Sequence, residues 1–138
     1  MQFRYQKIPF HGYDSRSPMA ARPFVPVYLF GPGGSIQSPY YALLDSGADV
    51  VLLPSELGKE AGVDVVSGKS YGVIGVGGQK VSVYYHNLEL QLVGDSRKLS
   101  TIVGLSDQIF TPLLGRSFFQ HYKKIIFSEP KGAVEFVV

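Results

Sequence analysis

The sequence has no cysteine. That excludes a disulfide framework, a thiolate zinc site and a cysteine nucleophile, and it permits a reducing compartment. No apolar run approaches the roughly 18 residues of a membrane-spanning helix, so none is expected. The first residues, Met1 to Pro9, contain no clean apolar stretch, and no secretory signal is expected. Together these absences predict a cytoplasmic protein that does not engage a membrane. Charge is sparse and scattered, with 13 Lys and Arg against 11 Asp and Glu, a net charge of +2. The largest basic clusters are the pairs Arg97-Lys98 and Lys123-Lys124. A nucleic-acid surface needs a denser basic stripe, so nucleic acid is not an expected partner. Internal repeats and low-complexity tracts are also lacking.

What is present is a chain of 138 residues, 45% hydrophobic and 13% aromatic. That length suits one domain with a single core. The 16 glycines and 9 prolines predict many turns and few long helices. Residues 1–22 read as an N-terminal arm, a short strand in which Phe3, Tyr5 and Ile8 can pack, followed by a loop. Residues 23–138 read as the domain proper.

Phe24 to Phe30 is rich in Val, Tyr and Phe and predicts a strand, with Pro26 arguing for a sheet edge. After the Gly31-Pro32-Gly33-Gly34 turn, Tyr40 to Leu44 and Val50 to Leu53 predict two more strands. Pro54 to Ala61 predicts a helix, with Pro54 at its first position and Gly62 ending it. Lys69 to Val76 and Gln79 to Val93 predict a long hairpin. Its second arm changes phase near His86-Asn87, which predicts a bulge or bend there. Leu99 to Val103 and Thr111 to Leu114 predict strands, and Arg116 to Tyr122 a short helix. Lys123 to Phe127 and Ala133 to Val137 predict a last hairpin across Glu129-Pro130-Lys131-Gly132. The sum is an all-β barrel or sandwich with one or two short helices.

The chemistry concentrates at Leu43-Leu44-Asp45-Ser46-Gly47-Ala48-Asp49. An acidic residue leaves an apolar strand and enters a Ser-Gly turn, where partial burial and a neighbouring donor tune a carboxyl for general acid or base work. Taken alone, the tripeptide reads first as an Asx turn in which Asp45 bonds its own backbone, because Asp-Ser-Gly is common in turns. Two further segments add weight. Gly75-Val76-Gly77-Gly78 predicts the tip of the long hairpin, where glycines permit a bent backbone and Val76 would project as an apolar contact, though an ordinary glycine-rich turn reads the same way. Leu113-Leu114-Gly115-Arg116 sets a glycine, which permits close backbone approach, beside an arginine suited to a carboxylate.

Other patterns carry less. Gly62 to Ser70 approximates a P-loop but has five residues between its glycines, where the motif has four, and follows a predicted helix. His11, His86 and His121 lack metal-ligand spacing, and no metal or cofactor is expected. Ser46 has no nearby histidine and no Gly-x-Ser-x-Gly context, so a serine hydrolase is unsupported. Tyr71 reads first as strand packing.

The order of these three segments resembles the retropepsin-like aspartic peptidases, single-domain homodimeric relatives of pepsin. Asp45-Ser46-Gly47-Ala48-Asp49 resembles that family's Asp-Thr/Ser-Gly-Ala-Asp motif, Ile74 to Gly78 its flap, and Leu113 to Arg116 its hydrophobic-hydrophobic-Gly-Arg motif. Phe3-Arg4-Tyr5 resembles the arm of cellular, prokaryotic-type members. Ser46 stands where Thr is commoner, and the long N-terminal arm and C-terminal hairpin depart from viral members. The resemblance implies a closed, pepsin-like β-barrel and an aspartic endopeptidase acting as a homodimer on an extended peptide, without a metal or cofactor. It implies catalytic roles for Asp45, Ser46 and Gly47. It implies substrate contacts from Leu43, Ala48, Asp49, Leu52, Ile74, Gly75, Val76, Gly77, Gly78 and Leu113. Gly115 and Arg116 would support the site, with Arg116 pairing Asp49. The competing reading is a non-catalytic peptide-binding or dimerisation module on the same fold.

Overall fold

The computed structural model describes residues 1–9, 19–74 and 77–138. Its strands run, in chain order, β1 Gln2–Arg4, β2 Gln6–Pro9, β3 Met19–Arg22, β4 Phe24–Gly31, β5 Gly34–Ser35, β6 Tyr40–Leu44 and β7 Val51–Pro54. They continue with β8 Lys69–Ile74, β9 Lys80–Leu92, β10 Leu99–Ser106, β11 Leu113–Leu114, β12 Lys124–Ser128 and β13 Ala133–Val137. Helix α1 is Ser55–Glu60 and α2 is Arg116–Phe119, with single 3-10 turns at Val65–Ser67 and Glu129–Lys131. No described helix is long and apolar enough to cross a membrane.

The large sheet has the order β5-β4-β6-β11-β7-β10-β9-β8, and a further pairing of β4 with β9 closes six of these strands into a ring. Strand alternation fills the ring. Val25, Val27 and Leu29 of β4 are fully buried while their neighbours are only partly so. Leu90, Leu92, Val51, Leu53, Val103, Leu105 and Leu114 meet them from the other strands. A smaller sheet, β1-β13-β12, holds the N-terminal residues against the C-terminal hairpin. There Phe3 and Phe136 meet edge to face at 5.8 Å. Tyr5 is buried and donates to Glu129 Oε1 at 2.8 Å. That burial, with the bond to Glu129, pushes the Tyr5 hydroxyl up to about 12.

Three expectations change. Pro26 does not mark an edge, because β4 exchanges partners along its length. It pairs with β6 over Phe24–Val27 and with β9 over Val27–Phe30. Pro26, which has no N–H to give, precedes the second ladder and only accepts, from Val93 N at 3.0 Å. The phase change in β9 involves no inserted residue. Pairing with β10 is unbroken from Leu90↔Leu99 to Tyr84↔Leu105. Instead β9 pairs with β8 over residues 80–85 and with β4 over 89–92, so its buried face changes as it passes between them. Helix α2 stops at Phe119, three residues short of expectation.

Helix α1 follows its sequence closely, one residue later at the start, with Pro54 as its N-cap. Gly62 closes it at φ +78°, a conformation that favours glycine. The Gly62–Ser70 stretch is a loop, a 3-10 turn and the start of β8, with no phosphate-cradling strand before it. His86 contacts the Val65 carbonyl at 2.8 Å and His121 the Thr101 hydroxyl at 3.2 Å, while His11 lies outside the described residues.

Candidate active site

Asp45 lies at the end of β6, in the loop that leads to β7. Strand β11 is inserted between those two strands, parallel to β6 and antiparallel to β7. The backbone there is fixed from both sides. Leu43 N donates to Pro112 O at 2.9 Å, Leu44 N to Pro23 O at 3.1 Å and Asp45 N to Leu114 O at 2.9 Å. The half-buried Asp45 carboxylate accepts from Gly47 N through Oδ1 at 2.9 Å, and Ala48 N closes the turn on Asp45 O at 3.2 Å. The Asx turn legible in the tripeptide is therefore present, and it orients the carboxylate. Ser46 and Gly47 are exposed, and the Ser46 hydroxyl has no partner among the described residues.

The Gly115 junction lies against this loop. Arg116 N donates to Ala48 O at 2.8 Å and Ser117 N to Asp49 O at 2.9 Å. A Cβ at Gly115 would collide with Val50 O and lie 2.5 Å from Ala48 O, so the glycine is demanded by space. Ser117 Oγ accepts from Val51 N at 3.1 Å and donates to Ile102 O at 3.2 Å, tying α2, β7 and β10 together. Its only signal in the sequence is a hydroxyl following Gly-Arg. No ion pair joins Asp49 to Arg116 among the described residues. The backbone N–H groups of Arg116 and Ser117 hold the loop by its carbonyls, and Asp49 and Arg116 are both left exposed.

Beside the loop opens a groove of about 580 Å3, lined by Gly47, Ala48, Asp49, Val50, Leu52, Tyr71, Tyr85 and Ile102. Of the residues expected at a substrate surface, Ala48, Asp49 and Leu52 line it. Leu43 and Leu113 do not, although they stand in register with Leu52 across β6, β11 and β7. Val50, Tyr85 and Ile102 line it without any local signal in the sequence, and Tyr71 is a groove wall as well as a packing residue. Its ring meets that of Tyr85 at 5.4 Å and 62° while remaining 48% exposed. Burial raises the Tyr85 hydroxyl above its usual value.

The β8–β9 hairpin rises past the end of β10. Gln108 Oε1 accepts from Ser82 N at 2.9 Å just beyond that end. Ile74 ends β8 opposite Lys80. Gly77 and Gly78 have φ of +92° and +79°, which a side chain would strain. Gly75 and Val76 lie outside the described residues.

A second carboxylate, Asp95, is buried away from the groove. It receives Arg97 Nε at 3.0 Å, Arg97 Nη2 at 2.7 Å and the Tyr122 hydroxyl at 2.9 Å. The Arg97 guanidinium is the main reason its carboxyl titrates down at about 2. With Arg97 N donating to Oδ1 at 3.0 Å as well, both oxygens are engaged by structural partners, so this acid ties the β9–β10 turn to the segment after α2.

The chain matches a family model described as retroviral aspartyl protease over residues 19–126. Among solved structures it is similar to EIAV protease complexed with the inhibitor HBY-793, at 26% identity and a TM-score of 0.54. That match covers 80% of this chain and 92% of the other. It is also similar to a retropepsin-like aspartic protease from Rickettsia conorii, at a TM-score of 0.62, covering 83% of this chain and 88% of that one. Identity there is 14%, so that likeness speaks for the fold. No match is found among curated proteins. The family match takes in most of the chain and includes both the Asp45 loop and the Gly115 junction, and the chain therefore belongs to the retroviral aspartyl protease family.

Proposed function

We propose that the protein is an aspartic endopeptidase whose catalytic pair is Asp45 from each of two identical chains. The observation that carries this reading is the Asp45 loop itself, a carboxylate fixed at a strand end beside an open groove of about 580 Å3. Family membership supports the same chemistry. Each chain supplies one such acid, while the mechanism needs two carboxyls sharing one proton. A two-fold axis supplies the second.

One Asp45, ionised, takes a proton from a bound water as the water oxygen attacks the scissile carbonyl carbon. The other, neutral, gives its proton to the carbonyl oxygen, and a tetrahedral diol forms. The carbon–nitrogen bond then breaks as the newly protonated carboxyl gives its proton to the leaving nitrogen. The other carboxyl, now ionised, takes a proton back from a diol hydroxyl, which re-forms the carbonyl and restores the shared proton of the pair. The Ser46 hydroxyl, without a partner among the described residues, bonds across the dimer. Gly47 and Asp49 hold the substrate backbone, with Ala48 and Leu52 beside them and Leu43 and Leu113 in support. The flap, Ile74 to Gly78, closes over an extended peptide by strand addition. We place the chain in the cytoplasm, whose reducing conditions a fold without disulfides tolerates.

The test is cleavage of an unfolded, apolar-rich protein by the purified chain and by Asp45→Asn. Cleavage by the first and none by the second is expected. Equal cleavage by both removes Asp45 from the chemistry. Saturable peptide binding without cleavage by either identifies the non-catalytic module.

A further inference from the structure

The hairpin beside the groove is gripped at its root from the side away from the groove. Strand β8 is an edge, with β9 as its one neighbour among the described residues. Strand β9 leaves β10 at Tyr84, so residues 80–83 have β8 as their ladder partner there. A two-stranded ribbon is marginal in water on its own, and its direction is decided where it joins the sheet. Lys69–Ile74 spans about 17 Å, so a tilt of about 10° at the root carries Ile74 about 3 Å.

At that root stands His86, which the mechanism does not use. Side chains alternate along a strand. Tyr85 lines the groove, so His86 points the other way, to the 3-10 turn Val65–Ser67 that precedes β8. Its Nε2 lies 2.8 Å from the Val65 carbonyl oxygen. A carbonyl only accepts, so Nε2 carries the proton and donates. The same oxygen accepts from Gly68 N at 3.3 Å, and Ser67 Oγ closes the turn on Asp64 O at 2.6 Å. Gly68, the last residue before β8, is pressed between the imidazole and β9. A Cβ there would collide with His86 Nε2 and stand 2.6 Å from Tyr85 O.

We infer that His86 is a positioning residue for the substrate groove, acting through the Val65 carbonyl to set where β8 begins and so where Tyr71 sits. This role rests on the peptidase reading above. Tyr71 is the third residue of β8, its ring meets that of Tyr85 at 5.4 Å, and both line the groove. Among the described residues, no other side-chain hydrogen bond ties the 3-10 turn to β9. Without the His86 donor the root of β8 is free to shift, and a bound peptide has to restore the wall that the free protein otherwise holds ready.

The test compares His86→Ala, which removes the donor, with His86→Gln, whose side-chain amide N–H can reach the same carbonyl. For one peptide, His86→Ala should raise KM about fivefold, the worth of one hydrogen bond, with kcat within about twofold of wild type. His86→Gln should restore KM. Amide hydrogen exchange without peptide gives a readout independent of cleavage. Lys69–Ile74 should exchange about fivefold faster in His86→Ala and at the wild-type rate in His86→Gln, with Leu99–Ser106 unchanged in both. Unchanged exchange at β8 in His86→Ala, equal losses in both variants, or a fall in kcat at constant KM overturns the positioning role. So does a His86→Ala chain that fails to fold beside a native His86→Gln, since the bond would then hold the whole domain. The expected exchange pattern without Asp45-dependent cleavage overturns the peptidase reading and leaves the hold on β8 standing. Asp45-dependent cleavage indifferent to His86→Ala does the reverse.

Discussion

Gly115 leaves no room for a side chain against Ala48. A Cβ there would lie 2.5 Å from the Ala48 carbonyl oxygen, the atom that accepts from Arg116 N at 2.8 Å. The Gly115 backbone, at φ −95°, is open to any residue, so the requirement is one of space. The Asp45 loop and the start of α2 are consequently one packed unit. Gly115→Ala should destabilise the fold by about 1–3 kcal/mol, the range for an overpacked site, and displace the loop that carries Asp45. Urea unfolding and peptidase assays on the variant measure both effects. An unchanged midpoint with unchanged activity contradicts the close approach.

Asp95 ties part of the fold's stability to pH, and that part is lost in acid. Hydrogen bonding to Arg97 lowers its folded value from 3.8 to about 2. The unfolded chain therefore binds the extra proton first as the pH drops. The stabilisation is complete above about pH 4 and disappears as the pH falls through about 2. Asp95→Asn should cost about 1–2 kcal/mol at pH 7, discounted for the partial exposure of Arg97, and close to nothing at pH 1.5. Denaturant titrations at the two pH values test this. A cost that persists undiminished at the lower pH would assign it to packing.

Tyr71 should act on substrate choice more than on stability. Its ring forms a wall of the groove and is only half covered by Tyr85. Tyr71→Ala should leave the melting temperature within a few degrees of wild type. It should lower kcat/KM about tenfold for peptides that place a large apolar side chain in the groove, the loss of one aromatic contact of about 1–1.5 kcal/mol. Peptides with alanine at that position should be far less affected. An equal loss for both peptide classes contradicts the assignment.

These residues differ in how far the sequence reveals them. Asp45, Gly115 and the hairpin glycines are legible because each answers a local demand, whether a turn, a close approach or a positive φ. The alternation of Val25, Val27 and Leu29 is legible for the same reason. Pro26 misleads because a strand can be central while one stretch of its edge stays unpaired. The phase change in β9 misleads because a change of neighbour and an inserted residue leave the same imprint on periodicity. Tyr71, Tyr85 and Ile102 converge from three different strands, and no local pattern announces that meeting. Asp49 and Arg116 have the chemistry of an ion pair, but the backbone bonds between their segments already hold the junction.

The central claim is that two chains build one site, and it is tested most directly by specific activity across a dilution series with mass followed by light scattering. Activity should rise with the dimer fraction and level off once the dimer is complete. Adding excess Asp45→Asn chain to wild type should suppress activity, because each mixed dimer holds one competent carboxyl. Full specific activity in a sample shown to be monomeric, undiminished by the Asn variant, would contradict the account.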